Sequence, residues 1–138
     1  MTTIGAGVRW SVDGFAEFWA NPDASLVPPM VTPDIKGYWP WSDVPVEGVT
    51  DYVDLIAKVI AYVPEMRLTV AEHATNGDAT FVRWIMHGRG VAGPFELCGI
   101  DRLILRDGLV AENVIRFDSG QLKALVGRPP YWEQSQRA

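Results

Sequence analysis

From Arg67 to Phe117 the chain alternates between extended apolar runs and turn signals, and no other feature restricts the fold as much. Arg67 to Ala74 leads into Asn76-Gly77-Asp78. Thr80 to Gly88 leads into the Gly-rich bend Gly90 to Pro94. Phe95 to Leu105 leads into Asp107-Gly108, and Leu109 to Phe117 follows. Short turns of this composition join antiparallel neighbours, so a four-strand meander is predicted. A meander with one apolar face needs cover from other elements.

The upstream sequence supplies that cover. Ser11 is an N-cap candidate, and Val12, Phe15, Ala16 and Trp19 recur at helical spacing behind it. Asn21-Pro22 stops this helix. A short turn or second helix is predicted over Asp23 to Val27, ended by Pro28-Pro29. Met30 to Trp41 reads as extended. Its Pro33 and Pro40 suit an edge position or a bulge. Thr50 to Val63 is the strongest helix, with Tyr52, Leu55, Ile56, Val59, Ile60 and Val63 in one stripe and Pro64 closing it. Gln121 to Val126 adds a short helix, and the tail 128–138 is expected to fray. The fold class is therefore α+β, one domain over residues 1–138: an antiparallel meander with the N-terminal helices packed on one sheet face.

Two hairpins are compatible with Asp107-Gly108. A two-residue loop pairs Arg106 with Leu109. A three-residue loop with Gly108 in the left-handed conformation pairs Leu105 with Leu109. One residue of slip exchanges the faces of a strand. The second register collects Asp101, Leu103, Leu105, Leu109, Ala111, Asn113, Ile115 and Phe117 on one face. Arg102, Ile104, Arg106, Val110, Glu112, Val114, Arg116 and Asp118 fall on the other. One apolar and one mixed face is what a half-buried sheet needs, so the second register is preferred. It sets Asp101 opposite Asn113 on an otherwise apolar face. A carboxylate there is costly unless partnered, and desolvation makes it a candidate proton carrier. With the preceding hairpin centred near Ala92, Arg83, Ile85 and His87 join that face, and Arg83 lies nearly opposite Asp101.

Composition excludes several classes. Only 12 Lys and Arg face 17 Asp and Glu, a net charge of −5, which argues against a nucleic acid or an anionic membrane as partner. The single Cys98 rules out an internal disulfide and fits a reducing compartment. Met1 to Gly5 has no secretion-signal character, and no apolar run reaches about 18 residues, so a cytoplasmic location is expected. His73, His87 and Cys98 are too scattered for a metal site, and Gly88-Arg89-Gly90 is too short for a phosphate loop. No cofactor is expected.

Four stretches resemble the SnoaL-like branch of the nuclear transport factor two-like superfamily, over roughly residues 8–127. They are Val31-Thr32-Pro33-Asp34, then Val63 to Leu68, then Phe81-Val82-Arg83-Trp84 with His87-Gly88. The clearest is Gly99-Ile100-Asp101 followed by Arg106-Asp107-Gly108 and Arg116-Phe117-Asp118. The resemblance implies a cone-shaped fold with an internal cavity, often dimeric through the outer sheet face. In the polyketide cyclases of this branch an aspartate in a Gly-x-Asp stretch is the general base, and a histidine on the preceding strand assists it. Asp101 matches the first and His87 the second. The superfamily's limonene epoxide hydrolases need an Arg-x-Asp pair and a further aspartate on the last strand. Arg83-Trp84-Ile85 and Ile115 depart from that pattern.

The expected function is that of a small-molecule pocket protein. Asp101 is read as a general base on an apolar carbonyl compound, giving isomerisation or cyclisation, or else as one half of a cross-strand contact with Arg83 or Asn113. His87 is read as the acid that protonates an enolate, or as a strand-end histidine. Asn113 either binds a substrate oxygen or holds Asp101. Arg83, Trp19, Trp39, Trp41, Tyr52 and Phe117 are candidate substrate contacts, although aromatics on a helix stripe also fill cores. The alternative is a protein that binds an apolar metabolite without turnover. A homodimer is expected through the mixed face bearing Ile104, Val110 and Val114.

Overall fold

The computed structural model describes residues 9–130 and 132–133. Met1 to Gly5, read above for a targeting signal, lie outside the described residues, as do 134–138. The chain runs through α1 (Val12–Ala20), two 3-10 turns (Ala24–Leu26 and Pro28–Met30), β1 (Val31–Tyr38), β2 (Val46–Glu47), α2 (Val49–Tyr62), β3 (Arg67–Asn76), β4 (Ala79–Gly90), β5 (Gly93–Arg106), β6 (Leu109–Phe117) and α3 (Ser119–Val126). Ser11 caps α1 as predicted, its Oγ accepting from the Gly14 amide at 3.0 Å. The stripe of α2 buries Tyr52, Ile56, Val59 and Tyr62. Among the described residues no helix is long and apolar enough to cross a membrane.

The six strands form one curved, unclosed sheet in the order β2-β1-β6-β5-β4-β3. The meander β3 to β6 is antiparallel throughout. β1, however, lies parallel to β6, so the sheet is mixed rather than antiparallel. No tight turn joins these two strands, and no turn geometry dictates their sense. β1 is also not an edge. It lies between β6 and the two-residue β2, and its pairing with β6 shifts between Val31 and Lys36, the stretch containing Pro33.

Two registers differ from expectation. Asp107-Gly108 is a two-residue turn pairing Arg106 with Leu109, not the three-residue loop preferred above. Both turn residues have positive φ, 55° and 80°, the geometry a tight twisted hairpin demands and glycine permits. A bulge then adds Ala111 to β6, because Ile104 pairs with Glu112 while Leu105 pairs with Val110. The bulge restores the preferred faces from Asn113 onward. Val110 and Leu109 exchange sides: Val110 becomes a buried core residue instead of an outer-face one, and Leu109, paired with Arg106, moves to the outer face. Asp101 consequently pairs with Ile115, and Asn113 with Leu103.

The β4–β5 hairpin turns at Val91-Ala92, with Gly90 paired to Gly93. Its centre falls half a residue before Ala92, which reverses the face of β4. Val82, not Arg83, pairs with Asp101. The buried residues of β4 include Val82, Trp84 and Met86, while Arg83, Ile85 and His87 belong to the outer face.

Residues 128–130 and 132–133 pack where fraying was expected. Pro130 is fully buried, and the Trp132 ring stacks on Trp41 with centroids 4.0 Å apart. Tyr62 Oη donates to the Arg128 carbonyl at 2.6 Å, and the Arg128 guanidinium donates back to the Tyr62 carbonyl at 3.0 Å. A buried indole and a stiff Pro-Pro pair outweigh the entropy of a short tail.

Gly99 is the contact that lets Trp84 lie across β5. The two residues are direct cross-strand partners, and a Cβ on Gly99 would come within 2.2 Å of the Trp84 ring. Gly99→Ala is therefore expected to destabilise the fold by about 2 kcal/mol through overpacking. A lowered urea midpoint at constant m would show it. An unchanged midpoint would mean that the indole does not rest on Gly99.

Candidate functional site

The concave face of the sheet and the helices over it enclose a cavity of about 550 Å³. Its wall is formed largely by apolar side chains, among them Phe15, Ile56, Met86, Leu103 and Ile115. The exposed lining residues Glu17, Asn21 and Leu26 put the mouth between α1 and the first 3-10 turn. Three polar side chains meet in this wall: Asp101 from β5, Asn113 from β6 and Tyr52 from α2, all buried.

These three form a chain of hydrogen bonds. Trp84 Nε1 donates to Asp101 Oδ1 at 2.9 Å. Asn113 Nδ2 donates to Asp101 Oδ2 at 3.1 Å, and also to Tyr52 Oη at 3.1 Å. Asn113 reaches Asp101 diagonally, since it pairs across the sheet with Leu103. Tyr52 comes close because β1 has no side chain at Gly37, where a Cβ would lie 2.7 Å from the tyrosine ring. Asn113 Oδ1 is buried without a hydrogen-bond partner, as is Trp39 Nε1. The observed amide orientation suits an ionised Asp101. The rotated one would aim Oδ1 at Asp101 Oδ2, which only a protonated carboxyl accepts.

Burial pushes the Asp101 carboxyl up from 3.8 to about 6, against the opposing pull of the Trp84 and Asn113 N–H groups. Among the described residues no cation acts on it. Burial also holds the Tyr52 hydroxyl above its ordinary value. The site therefore offers a carboxylate that exchanges its proton near neutrality and a phenol that stays protonated. Tyr52 Oη accepts from Asn113, which leaves its own hydrogen to donate elsewhere.

The sequence-predicted residues divide in two. Asp101, Asn113, Tyr52, Trp19, Trp39 and Phe117 line the cavity. Arg83, His87 and Trp41 do not. Arg83 Nε bonds Glu72 Oε2 at 2.7 Å on the outer face. His87 lies there too, with Nε2 3.0 Å from Thr69 Oγ1 and Nδ1 3.4 Å from Glu96 Oε2. Trp41 sits behind the wall, stacked between Trp39 and Trp132. Trp84 is the functional residue that the sequence reading missed. Its signal is the alternation of β4 itself: Val82, Trp84 and Met86 make an apolar set, while Arg83, His87 and Arg89 make a polar one.

Residues 12–113 match the SnoaL-like domain family. No curated protein matches the chain significantly. Among solved structures, a hypothetical protein of ketosteroid isomerase-like fold from Catenulispora acidiphila DSM 44928, in complex with trimethylamine, superposes with a TM-score of 0.73. The identity is 16%, over 95% of this chain and 98% of that one. A proposed SnoaL-like polyketide cyclase from Jannaschia sp. CCS1 gives 0.70 at 19% identity, over 83% and 88%. IdmH from Streptomyces antibioticus, a proposed polyketide cyclase, gives 0.70 at 20% identity, over 84% and 95%. At these identities the likeness carries the fold.

The raised Asp101 pKa fixes a stability trend. Between pH 3.8 and about 6 the native state holds a proton that the unfolded chain has released, so native stability falls as pH rises through this window. Two pKa units amount to about 3 kcal/mol at neutral pH. Asp101→Asn mimics the neutral acid and removes this penalty. Urea unfolding of both proteins from acid to neutral pH is expected to show the variant gaining on wild type up to pH 6 and holding the gain above it. A constant difference across the range would mean that the carboxyl titrates normally.

Proposed function

The chain belongs to the SnoaL-like family, and from that premise we propose that it is a cofactor-independent isomerase or cyclase in which Asp101 takes a carbon-bound proton from an apolar carbonyl compound. The carrying observation is a buried carboxylate in the wall of an apolar cavity, with no counter-ion among the described lining residues and poised to titrate at about 6. Trp84 and Asn113 orient the carboxylate. Tyr52 donates its free hydrogen to the substrate oxygen as negative charge develops there, and the apolar wall strengthens that bond. The proton then returns from Asp101 to another carbon, or a carbon–carbon bond forms and the proton goes to the new alkoxide. His87 has no part in this mechanism, and with Arg83 outside the cavity the epoxide hydrolase reading has no support.

A second reading, binding without turnover, is favoured by one observation. Beyond Asp101 and the exposed Glu17, Tyr52 is the one titratable group among the described lining residues, so a second proton carrier of ordinary pKa is lacking. The expected homodimer belongs to the proposal as well. It is supported by an outer face where Ile100 is 37% exposed amid the Arg83–Glu72 and Arg102–Glu112 pairs.

Deuterium exchange separates the two readings. With 2-tetralone in D₂O, wild type is expected to accelerate exchange of the α-hydrogens, with a rate that climbs through about pH 6 as Asp101 ionises. Asp101→Asn is expected to lose about 100-fold or more of that acceleration, and Tyr52→Phe about 10-fold. Equal exchange by wild type and Asp101→Asn would rule out Asp101 as the base.

A further inference from the structure

The described lining residues of the cavity carry negative charge and no positive charge. Asp101 lies buried within it and Glu17 stands at its open end, while no Lys, Arg or His occurs among the described lining residues. Sheet arginines outside the wall are engaged elsewhere, Arg83 with Glu72, Arg102 with Glu112, Arg106 with Asp34 and Arg116 with the Tyr38 and Ile115 carbonyls. Asp101 thus receives two N–H groups but, among the described residues, no counter-ion. The remaining wall is rich in aromatic rings, including Trp10, Phe15, Trp19, Trp39, Trp84 and Phe117.

Each class of ligand meets this wall differently. An anion brings a like charge against Asp101 in a medium of low dielectric, where repulsion is strong. A neutral molecule gains apolar burial and leaves the carboxylate unpaired. An ammonium group supplies the missing counter-ion, and aromatic rings attract it through their electron-rich faces, indole most strongly. We propose that the cavity is a receptor for an apolar amine in its ammonium form, with Asp101 as the counter-ion and the tryptophan-rich wall as its cage. The proposal shares Asp101 with the proton-transfer reading but not its chemistry, since holding a cation requires no turnover.

Calorimetric titration with three probes on one skeleton tests it: 2-naphthylmethylamine, 2-naphthalenemethanol and 2-naphthoate, at about pH 8 where Asp101 is ionised. The amine is expected to bind at least about 10-fold tighter than the alcohol, and the naphthoate weakest of all. In Asp101→Asn the amine and the alcohol are expected to converge. A variant-free check uses wild type at about pH 5, where the amine remains charged, Asp101 is protonated and the preference shrinks. Alcohol or naphthoate binding as tightly as the amine overturns the proposal. So does an amine preference that survives in Asp101→Asn, or an amine that does not bind at all. Asp101-dependent amine binding without deuterium exchange supports this inference while sinking the proton-transfer reading, and exchange without amine preference does the reverse.

Discussion

A carboxylate in an apolar cavity must find donors, find a cation or give up its charge. Asp101 takes the first course, and much of the surrounding structure follows from it. Trp84 supplies an N–H to one oxygen and Asn113 an N–H to the other. The Trp84 ring can lie across β5 because Gly99, its cross-strand partner, has no side chain to resist it. Asn113 faces inward because a bulge at Ala111 corrects the phase set by the tight Asp107-Gly108 turn. Tyr52 then closes the group from the helix side. Four elements converge on one acid, and the two donors only partly offset its desolvation.

Aromatic packing carries this site outward to the chain's end. Trp84 meets Phe117 at 6.0 Å, and Phe117 meets Trp41 at 6.3 Å. Trp41 stacks between Trp39 and Trp132. The inner members line the cavity and the outer ones anchor residues 128–130 and 132–133. The C-terminal segment therefore backs the cavity wall, and the orientation of Trp39 depends on residues more than ninety positions later in sequence.

The meander, the two main helices and the cavity acid were legible in the sequence because each rests on local chemistry: turn residues, helical stripes, caps and one charged position in an apolar strand. The misreadings share a different origin. For β4, a bend of five ambiguous residues was allowed to set the register, while the apolar alternation of Val82, Trp84 and Met86 already fixed the inward face. A half-residue shift of the turn centre moved Arg83 and His87 from the cavity to the outer surface. For β6, the preferred faces were right from Asn113 onward although the turn was wrong, because the bulge compensates. A bulge leaves little local trace, since Ala111 is unremarkable in composition. The docking of Trp132 and the parallel pairing of β1 depend on distant partners and were not legible at all.

Both roles given to Asp101 require a titratable acid inside the cavity with no cation among the described residues beside it. Carboxyl carbon-13 NMR of the aspartate-labelled protein, assigned by loss of one resonance in Asp101→Asn, measures that directly. The Asp101 resonance is expected to titrate at about 6, while a midpoint near the ordinary 3.8 would show a solvated or cation-paired carboxylate and would rule out both the proton-transfer chemistry and the cation receptor.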